Sequence, residues 1–205
     1  MQKDTPTEDI VYDKNVIEFV TVVAETCLFL ERTEEYTRNG FITQAVKLLP
    51  LLYLKANLVD VPESMSGEMV ERFVSEEDYL FVREKIEHLL GNDNIYLEVF
   101  HPDMQYSDTP IAAFISEDLA DIYQELKDFA ANYSLGITDI MHEALALCME
   151  TFREHWGQKT LNALRALHSL RYNEDFNTYE ENDQFNSEEN ASNRNSFLDY
   201  LRDSE

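Results

Sequence analysis

Apolar side chains recur at alternating steps of three and four residues over much of the chain, the spacing that places them on one face of a helix. The first such stretch predicts a helix from Asp13 to Arg32. Later stretches predict more helices, the third after an N-cap at Ser75 and the fourth after an N-cap at Ser116. The spacing predicts one buried face for each of four helices. These faces are Val16, Val20, Val23, Cys27 and Leu30 in the first helix; Tyr79, Val82, Ile86 and Leu89 in the third; Leu119, Ile122, Leu126, Phe129 and Tyr133 in the fourth; and Met141, Leu145, Cys148 and Phe152 in the fifth.

Two helices contain a residue that interrupts the pattern. The second helix begins near Phe41 and is apolar on nearly all sides as far as Leu58, which predicts the central and most buried helix of the fold. Pro50 lies inside it and lacks a backbone donor, so it is predicted to kink or split this helix. Gly157 is predicted to interrupt the fifth helix, after which apolar residues continue toward Arg171.

Residues 92–115 show no helical period. They contain several aromatic residues and two prolines, which predicts a long irregular loop, at most with a short extended piece. A loop of this length in a compact domain is either functional or packed by its own aromatic side chains.

These elements predict an all-α fold, a single compact bundle of about six helices over residues 13–172. Residues 1–12 are predicted to be a flexible N-terminus. Residues 173–205 carry ten acidic side chains and two arginines, a net charge of −8, and are predicted to be an acidic, mostly disordered C-terminal extension. The apolar residues of the segment Phe197–Leu201 suit a short terminal helix that docks on the body or on a neighbouring molecule.

The net charge of the chain limits the classes of molecule that can bind it. The chain has 205 residues, with 16 Lys and Arg against 41 Asp and Glu, a formal net charge of −25. Nucleic acids and anionic membranes are unfavourable partners, because both attract clustered Lys and Arg. The same charge favours solubility and can steer a basic protein toward the domain. We therefore expect a protein partner, in particular a basic one.

The chain also carries no sign of export or membrane insertion. Its N-terminus lacks the apolar core of a signal peptide, and its longest apolar stretch, Val46 to Leu58, is too short and too interrupted to span a bilayer. Cys27 and Cys148 lie among apolar residues at helical spacing, which favours buried thiols over a disulfide. We expect a cytoplasmic protein.

The predicted fourth helix carries a row of carboxylates: Asp118, Asp121, Glu125 and Asp128. Each precedes a residue of the apolar stripe by one position, so the row lies about 100° from the core face. Carboxylates on that flank could line a groove and serve a metal or a general base. A solvated helix edge is the alternative, and so acidic a chain favours it.

Two histidines follow the apolar stripes. His155 extends the stripe of the fifth helix by three residues, and His168 lies four residues after Leu164. Both imidazoles are expected on or beside buried faces, either as hydrogen-bonded core residues, the favoured interpretation, or as ligands and acid–base groups. Zinc-site spacing, a nucleophile elbow and a phosphate-binding loop are all missing from the sequence. We therefore assign no catalytic residue, no metal and no cofactor.

Three stretches carry a family resemblance: LLPLLYLKA in the second helix, SEDLADIYQELKDF in the fourth and HWGQKTLNALRALHSL in the last. In that order they resemble the bacterial DUF5063 family, a domain of unknown function, over roughly residues 15–172. The resemblance implies a compact helical bacterial protein without an established activity. It marks these positions as candidates: Asp118, Asp121, Tyr123, His155, Trp156, Gly157 and His168.

The last of the three stretches departs from the family pattern. A second His often stands there two residues after the glycine of H-W-G, whereas this chain has Lys159. The departure argues against a metal role for the segment. A helix-packing role for Trp156 and Gly157, in which the glycine allows close approach, is compatible with it.

Two functional hypotheses follow. The leading one is a non-catalytic interaction or adaptor domain that binds a protein partner. The alternative is an enzyme or metal-binding helical bundle that uses Asp118, Asp121, His155 and His168 in one cleft. The alternative requires a histidine within about 4 Å of one of the two aspartates, in a cleft that solvent reaches.

Overall fold

The computed structural model describes residues 9–60, 70–98, 111–174 and 176. Most of these residues are helical, which confirms the predicted fold class. The elements in chain order are α1 (Lys14–Glu31), α2 (Arg38–Asn57), α3 (Glu76–Leu90), β1 (Ile95–Glu98), β2 (Ile111–Phe114), α4 (Ile115–Ser134), α5 (Thr138–Thr151) and α6 (Gly157–Arg171). Short 3₁₀ helices form at Ile10–Tyr12, Thr33–Glu35 and Gly91–Asn94.

The predicted number of about six helices is slightly too high. A π-helical turn at Phe152–Trp156 joins α5 to α6 without a break, so the described residues form five continuous helices. Gly157 follows this turn and does not end the helix. A Cβ at Gly157 would overlap the Phe152 carbonyl oxygen and ring, so the glycine allows the close approach that the turn requires.

The hydrophobic core is centred on α4, which packs against α1, α3, α5 and α6. The ring of Phe19 in α1 lies 5.5 Å from that of Phe129 in α4 and 6.5 Å from that of Trp156. Phe29 stacks on Phe41 at 4.8 Å and thereby joins α1 to α2. Burial of such large aromatic side chains is the main source of stability for the bundle.

The prediction that α2 is the central, most buried helix is wrong. Leu51, Leu54 and Leu58 follow one another at steps of three and four and are 41–54% exposed. Pro50 was predicted to kink or split α2; the split is wrong, because the helix runs from Arg38 to Asn57 through it. Pro50 itself is exposed, so water can reach the carbonyl that loses its hydrogen bond.

The short extended piece that the sequence allowed within residues 92–115 is present, but the described part of this segment is regular rather than an irregular loop. β1 and β2 form a two-stranded antiparallel ribbon, with Ile95 opposite Phe114 and Glu98 opposite Ile111. Strands of four residues are too short to show a clear alternation of apolar and polar side chains, which is why the sequence gives little sign of them. Residues 99–110 lie outside the described residues.

Both ends of the bundle extend past its predicted limits. Val11 falls in the predicted flexible N-terminus of residues 1–12, yet it is fully buried, and its carbonyl accepts a hydrogen bond of 2.6 Å from the Tyr133 hydroxyl. Phe176, within the predicted extension, is 6% exposed. Residues 1–8 and 177–205, including the segment Phe197–Leu201, lie outside the described residues. None of the helices described here is long and apolar enough to cross a membrane.

Candidate functional site

The polar residues of α4 are positioned by the way this helix begins. The predicted N-cap at Ser116 is wrong, because α4 already begins at Ile115 and Ser116 is buried in its first turn. Asn94 performs the capping instead: its Oδ1 accepts from the Ser116 N–H at 2.8 Å, and its Nδ2 donates to the Ser116 Oγ at 2.9 Å. This pair of bonds fixes the start of β1 beside the first turn of α4.

A lysine lies between the first two aspartates of the α4 row. The Lys159 Nζ is 2.6 Å from Asp121 Oδ2 and 3.2 Å from Asp118 Oδ1. Two tyrosine hydroxyls complete the cluster, since Tyr96 donates to Asp118 Oδ2 at 2.5 Å and Tyr79 donates to Asp121 Oδ1 at 2.9 Å. Each of the four carboxylate oxygens therefore has a hydrogen-bond donor. We call these five residues the Lys159 cluster; it joins α3, β1, α4 and α6.

Burial and mutual attraction set the protonation of this cluster. Burial raises the pKa of Asp118, against the opposing effects of Tyr96 and Lys159. Burial alone would lower the pKa of Lys159, but its bonds to Asp121 and Asp118 outweigh burial and raise it. Burial, together with the bonded aspartates, raises the pKa of both Tyr79 and Tyr96. Lysine and tyrosines therefore keep their protons at neutral pH.

This protonation limits the chemistry of the Lys159 cluster. A lysine acts as a nucleophile only when its pKa is lowered enough to free the amine, and the pKa of Lys159 moves the other way. A carboxylate acts as a general base when an oxygen is free to face the substrate proton. Here every oxygen of Asp118 and Asp121 already accepts a bond. The arrangement is that of a structural ion-pair network.

A second polar cluster involves Tyr123, which the family resemblance marks as a candidate. Tyr123 is 5% exposed, and its hydroxyl donates to Glu31 Oε1 at 3.0 Å. Lys127 donates to the same oxygen at 2.6 Å. Burial and the Glu31 carboxylate raise the pKa of Tyr123. These contacts tie the last residue of α1 to the middle of α4.

Near the C-terminal end of α4, Asp128 and Asn132 form hydrogen bonds with the segment that precedes α3. Asp128 Oδ1 accepts from the backbone N–H groups of Phe73 at 2.7 Å and Val74 at 2.9 Å. The Asn132 side chain accepts from the Glu71 N–H at 3.1 Å and donates to the Glu71 carbonyl at 2.8 Å. The carboxylate row was predicted to be either a groove or a solvated edge. Instead, Asp118, Asp121 and Asp128 bind side chains or backbone N–H groups of neighbouring segments.

The structure does not place His155 on the buried face that its spacing predicts. The π turn adds a residue to one helical turn, so the positions after Phe152 are rotated relative to the apolar stripe. Trp156 takes the buried position with no exposed surface, and its Nε1–H donates to the Cys148 carbonyl at 3.0 Å. His155 is exposed.

His168 is also exposed. The buried face of α6 is formed by Thr160, Ala163 and Leu167, whereas Leu161 and His168, seven residues apart, share an exposed face. The His168 ring packs on the exposed Tyr172 at 4.6 Å. Neither histidine bonds to an aspartate of the Lys159 cluster within the described residues. The same residues contain no group of three or more His, Cys, Asp or Glu that could hold a metal ion.

An open cleft lies at another surface, between the turn Thr33–Tyr36 and α3. Its volume is about 540 Å³. Phe81, which is 50% exposed, and Leu89 contribute apolar surface, and the carboxylates of Glu34 and Glu84 lie at its edge with side chains 68% and 65% exposed. We call this the α3 cleft. Both carboxylates are ion-paired, Glu34 with Lys85 at 2.5 Å and Glu84 with Arg83 at 3.5 Å. The cleft thus combines an aromatic surface with exposed ion pairs.

No sequence pattern indicates that Tyr79 and Tyr96 belong to the Lys159 cluster or that Asn94 caps α4. The spacing of Tyr79 predicts a core residue, and Tyr96 and Asn94 lie in the segment without helical period. Lys159 differs from the family pattern, but its spacing gives no sign of its partners. One signal was present, because a helix that carries basic but no acidic residues suits an acidic row on another helix.

Comparisons with known proteins agree on the family and the fold. The profile of a family described as a domain of unknown function, DUF5063, matches residues 10–173. The crystal structure of protein BF1032 from Bacteroides fragilis, a structural-genomics target, is similar to this chain with 45% sequence identity and a TM-score of 0.72. The match covers 80% of this chain and 96% of that one. No curated protein matches the chain significantly.

Proposed function

Because the chain belongs to the DUF5063 family, whose description assigns no function, we propose a function from its geometry: a non-catalytic protein-interaction domain. In this proposal the α3 cleft binds a partner segment that combines basic and apolar side chains. The observation that carries the proposal is Phe81, a large aromatic residue half exposed in a cleft with acidic edges.

The aromatic surface supports binding of an apolar side chain. Phe81 is 50% exposed and lines the cleft beside the half-buried Tyr36 and Leu89. Aromatic residues at the centre of an interface commonly contribute more than about 1 kcal/mol to binding. A cleft of about 540 Å³ is large enough for two or three side chains of a bound segment.

The charge around the cleft supports a basic partner. The segments Thr33–Glu35 and α3 together carry seven acidic and two basic residues. Lys85 already shows how the cleft holds an ammonium group: its Nζ lies 3.7 Å from the Phe81 ring centroid and 2.5 Å from Glu34 Oε2. A partner Lys or Arg that displaces Lys85 can use the same combination of ring face and carboxylate. The net charge of −25 would speed its approach.

The proposal can be tested with two short synthetic peptides, one alternating Lys and Leu and the other Glu and Leu. Each is titrated into the ¹⁵N-labelled full chain while amide chemical shifts are followed. We expect the Lys peptide to shift the amides of Thr33, Lys85 and Leu89, and to do so less at high salt. The Glu peptide should leave those amides unchanged.

Two results would count against the proposal. Equal shifts from both peptides would mean that apolar contact alone drives binding and that the acidic edge has no role. Shifts confined to other surfaces, such as the exposed leucines of α2, would move the interaction site away from the α3 cleft.

The enzyme or metal-binding alternative has less support. It needs a histidine beside Asp118 or Asp121, whereas Lys159 lies there and both His155 and His168 are exposed. No observation on the described residues favours it over the interaction hypothesis.

A further inference from the structure

Basic residues are unevenly distributed in this acidic protein. Helices α2 and α6 each carry three Lys or Arg and no Asp or Glu, although the whole chain has a net charge of −25. The two helices pack against each other. Arg38, Lys55 and Lys159 are already paired with carboxylates. Lys47, Arg165 and Arg171 make no ion pair among the described residues, so they are the positive charges on these helices that an acidic segment can reach.

A groove runs between α6 and β1 on this side of the molecule, with a volume of about 430 Å³. Ile95 and Leu97 of β1 line it and are 56% and 57% exposed, and Ala166 and Leu170 line it from α6. Arg165 also lines the groove, is exposed and makes no ion pair within the described residues. Two carboxylates, Asp93 and Glu98, also line the groove, and Asp93 is paired with Arg38. The β1–α6 groove therefore combines exposed apolar surface with one arginine that is unpaired among the described residues and the carboxylate of Glu98.

The chain leaves the described body close to one end of this groove. The Phe176 carbonyl accepts a hydrogen bond of 2.7 Å from Asn39 Nδ2, and its ring lies 4.6 Å from the Arg171 guanidinium. The Arg38 guanidinium lies 6.0 Å from the same ring and also bonds to Asp93, which lines the groove. The C-terminal extension thus starts beside the β1–α6 groove.

The length and composition of the extension suit the groove. Twenty residues separate Phe176 from the apolar segment Phe197–Leu201. A flexible chain of that length spans about 25 Å, which is similar to the length of a 15-residue helix such as α6. Residues 173–205 have a net charge of −8, and Asp199 lies within the apolar segment.

We propose that the segment Phe197–Leu201 binds in the β1–α6 groove of its own chain. Its apolar side chains cover Ile95 and Leu97, and its carboxylates lie near Arg165. Tethering raises the local concentration of the segment to roughly the millimolar range, so a modest intrinsic affinity is sufficient. This inference is independent of the α3 cleft and of the function proposed for it.

Disulfide trapping in the full chain tests the proposal. Leu97→Cys with Leu198→Cys should form an intramolecular disulfide under mild oxidation, detected by intact mass and non-reducing gels. The control pair is Ile17→Cys with Leu198→Cys, because Ile17 is 50% exposed on α1. The native thiols, including Cys27 whose pKa burial raises to about 12, are buried and unreactive.

We expect the groove pair to be trapped at least about tenfold faster than the control pair, because only the former is held together by binding. Equal rates would overturn the proposal. Disulfides between two chains would also overturn it, since they would place the segment on a second copy.

A second measurement does not depend on introduced cysteines. In the full chain, Leu198→Asp with Leu201→Asp should release the segment without touching the bundle. Hydrogen exchange should then become faster at β1 and along the groove side of α6 and stay unchanged in α1. Unchanged exchange at β1 and α6 would contradict the proposal, whatever the trapping shows.

Discussion

The replacement Lys159→Met tests whether the Lys159 cluster is structural. Methionine keeps most of the length and the apolar stem of lysine but removes the ammonium group. Asp118 and Asp121, whose side chains are 8% and 23% exposed, then face each other without the cation that lies between them. The two tyrosine donors remain, so the change isolates the ionic contact.

The structure gives the expected size of the effect. Removal of one partner from a fully buried ion pair destabilises a protein by about 3–5 kcal/mol. Lys159 keeps 24% of its side-chain surface exposed, so water can partly replace it and reduce the loss. We expect the free energy of unfolding at pH 7 to fall by about 2–4 kcal/mol, and Tm by about 5–15 °C for a domain of this size.

Urea unfolding followed by circular dichroism measures this loss. The matched control is Lys47→Met, because Lys47 is exposed on α2 and has no ion pair among the described residues. It should change the stability by less than about 0.5 kcal/mol. Adding Asp118→Asn to Lys159→Met should restore about 1–2 kcal/mol, because it removes one of the two facing charges.

A loss below about 0.5 kcal/mol for Lys159→Met would refute the structural interpretation. It would mean that the fold tolerates the two carboxylates without the lysine, because water or another cation solvates or neutralises them. The aspartates would then again be candidates for a functional role. A full loss that Asp118→Asn fails to reduce would instead show that the lost hydrogen bonds of the ammonium group, not repulsion between the two carboxylates, cause the destabilisation.

Three further predictions concern the same part of the fold. Trp156→Phe removes the indole donor and leaves space around a fully buried ring, and it should cost about 1–3 kcal/mol in urea unfolding, although the Cys148 carbonyl still accepts from the Phe152 N–H and the Thr151 hydroxyl. Gly157→Ala should cost more than about 2 kcal/mol, because the new Cβ overlaps the Phe152 carbonyl oxygen; a stable variant would show that the π turn can relax. Stability should fall as the pH rises above about 9, the ordinary pKa of a thiol, because folding raises the pKa of the buried Cys27 and Cys148. The fall should steepen above pH 10, because folding also raises the pKa of Tyr79, Tyr96, Tyr123, Lys127 and Lys159. The contribution of each group is complete below its unfolded pKa and is lost as the pH passes its folded pKa, so flat stability to pH 12 would contradict this.

The helices could largely be predicted from sequence because their signals are local. The stripe that ends at Leu30 and the capping box at Ser75 depend on residues a few positions apart, and both appear in the structure. The pairing of β1 with β2 could not be predicted, because strands of four residues give little periodicity. The exposure of His155 could not be predicted, because a π turn adds one residue to the helix without a distinctive sequence. That added residue puts Trp156, and not His155, on the buried face.

The candidate site depended on contacts that no local pattern contains. The spacing of the α4 row singles out Asp118, but its partners Tyr96 and Lys159 come from β1 and α6 and meet it only through the tertiary packing. The expected partners, His155 and His168, are exposed. The row can be found by helical spacing, whereas its role depends on which residue of another helix reaches it.

The most direct test of the interaction hypothesis compares two phenylalanines of similar exposure. Phe81, in the α3 cleft, is 50% exposed, and Phe73, outside it, is 44% exposed. Calorimetric titration of the alternating Lys–Leu peptide into full-length Phe81→Ala and Phe73→Ala measures the contribution of each ring. The account predicts affinity about tenfold weaker for Phe81→Ala and unchanged for Phe73→Ala. Equal affinities for the two variants would contradict it.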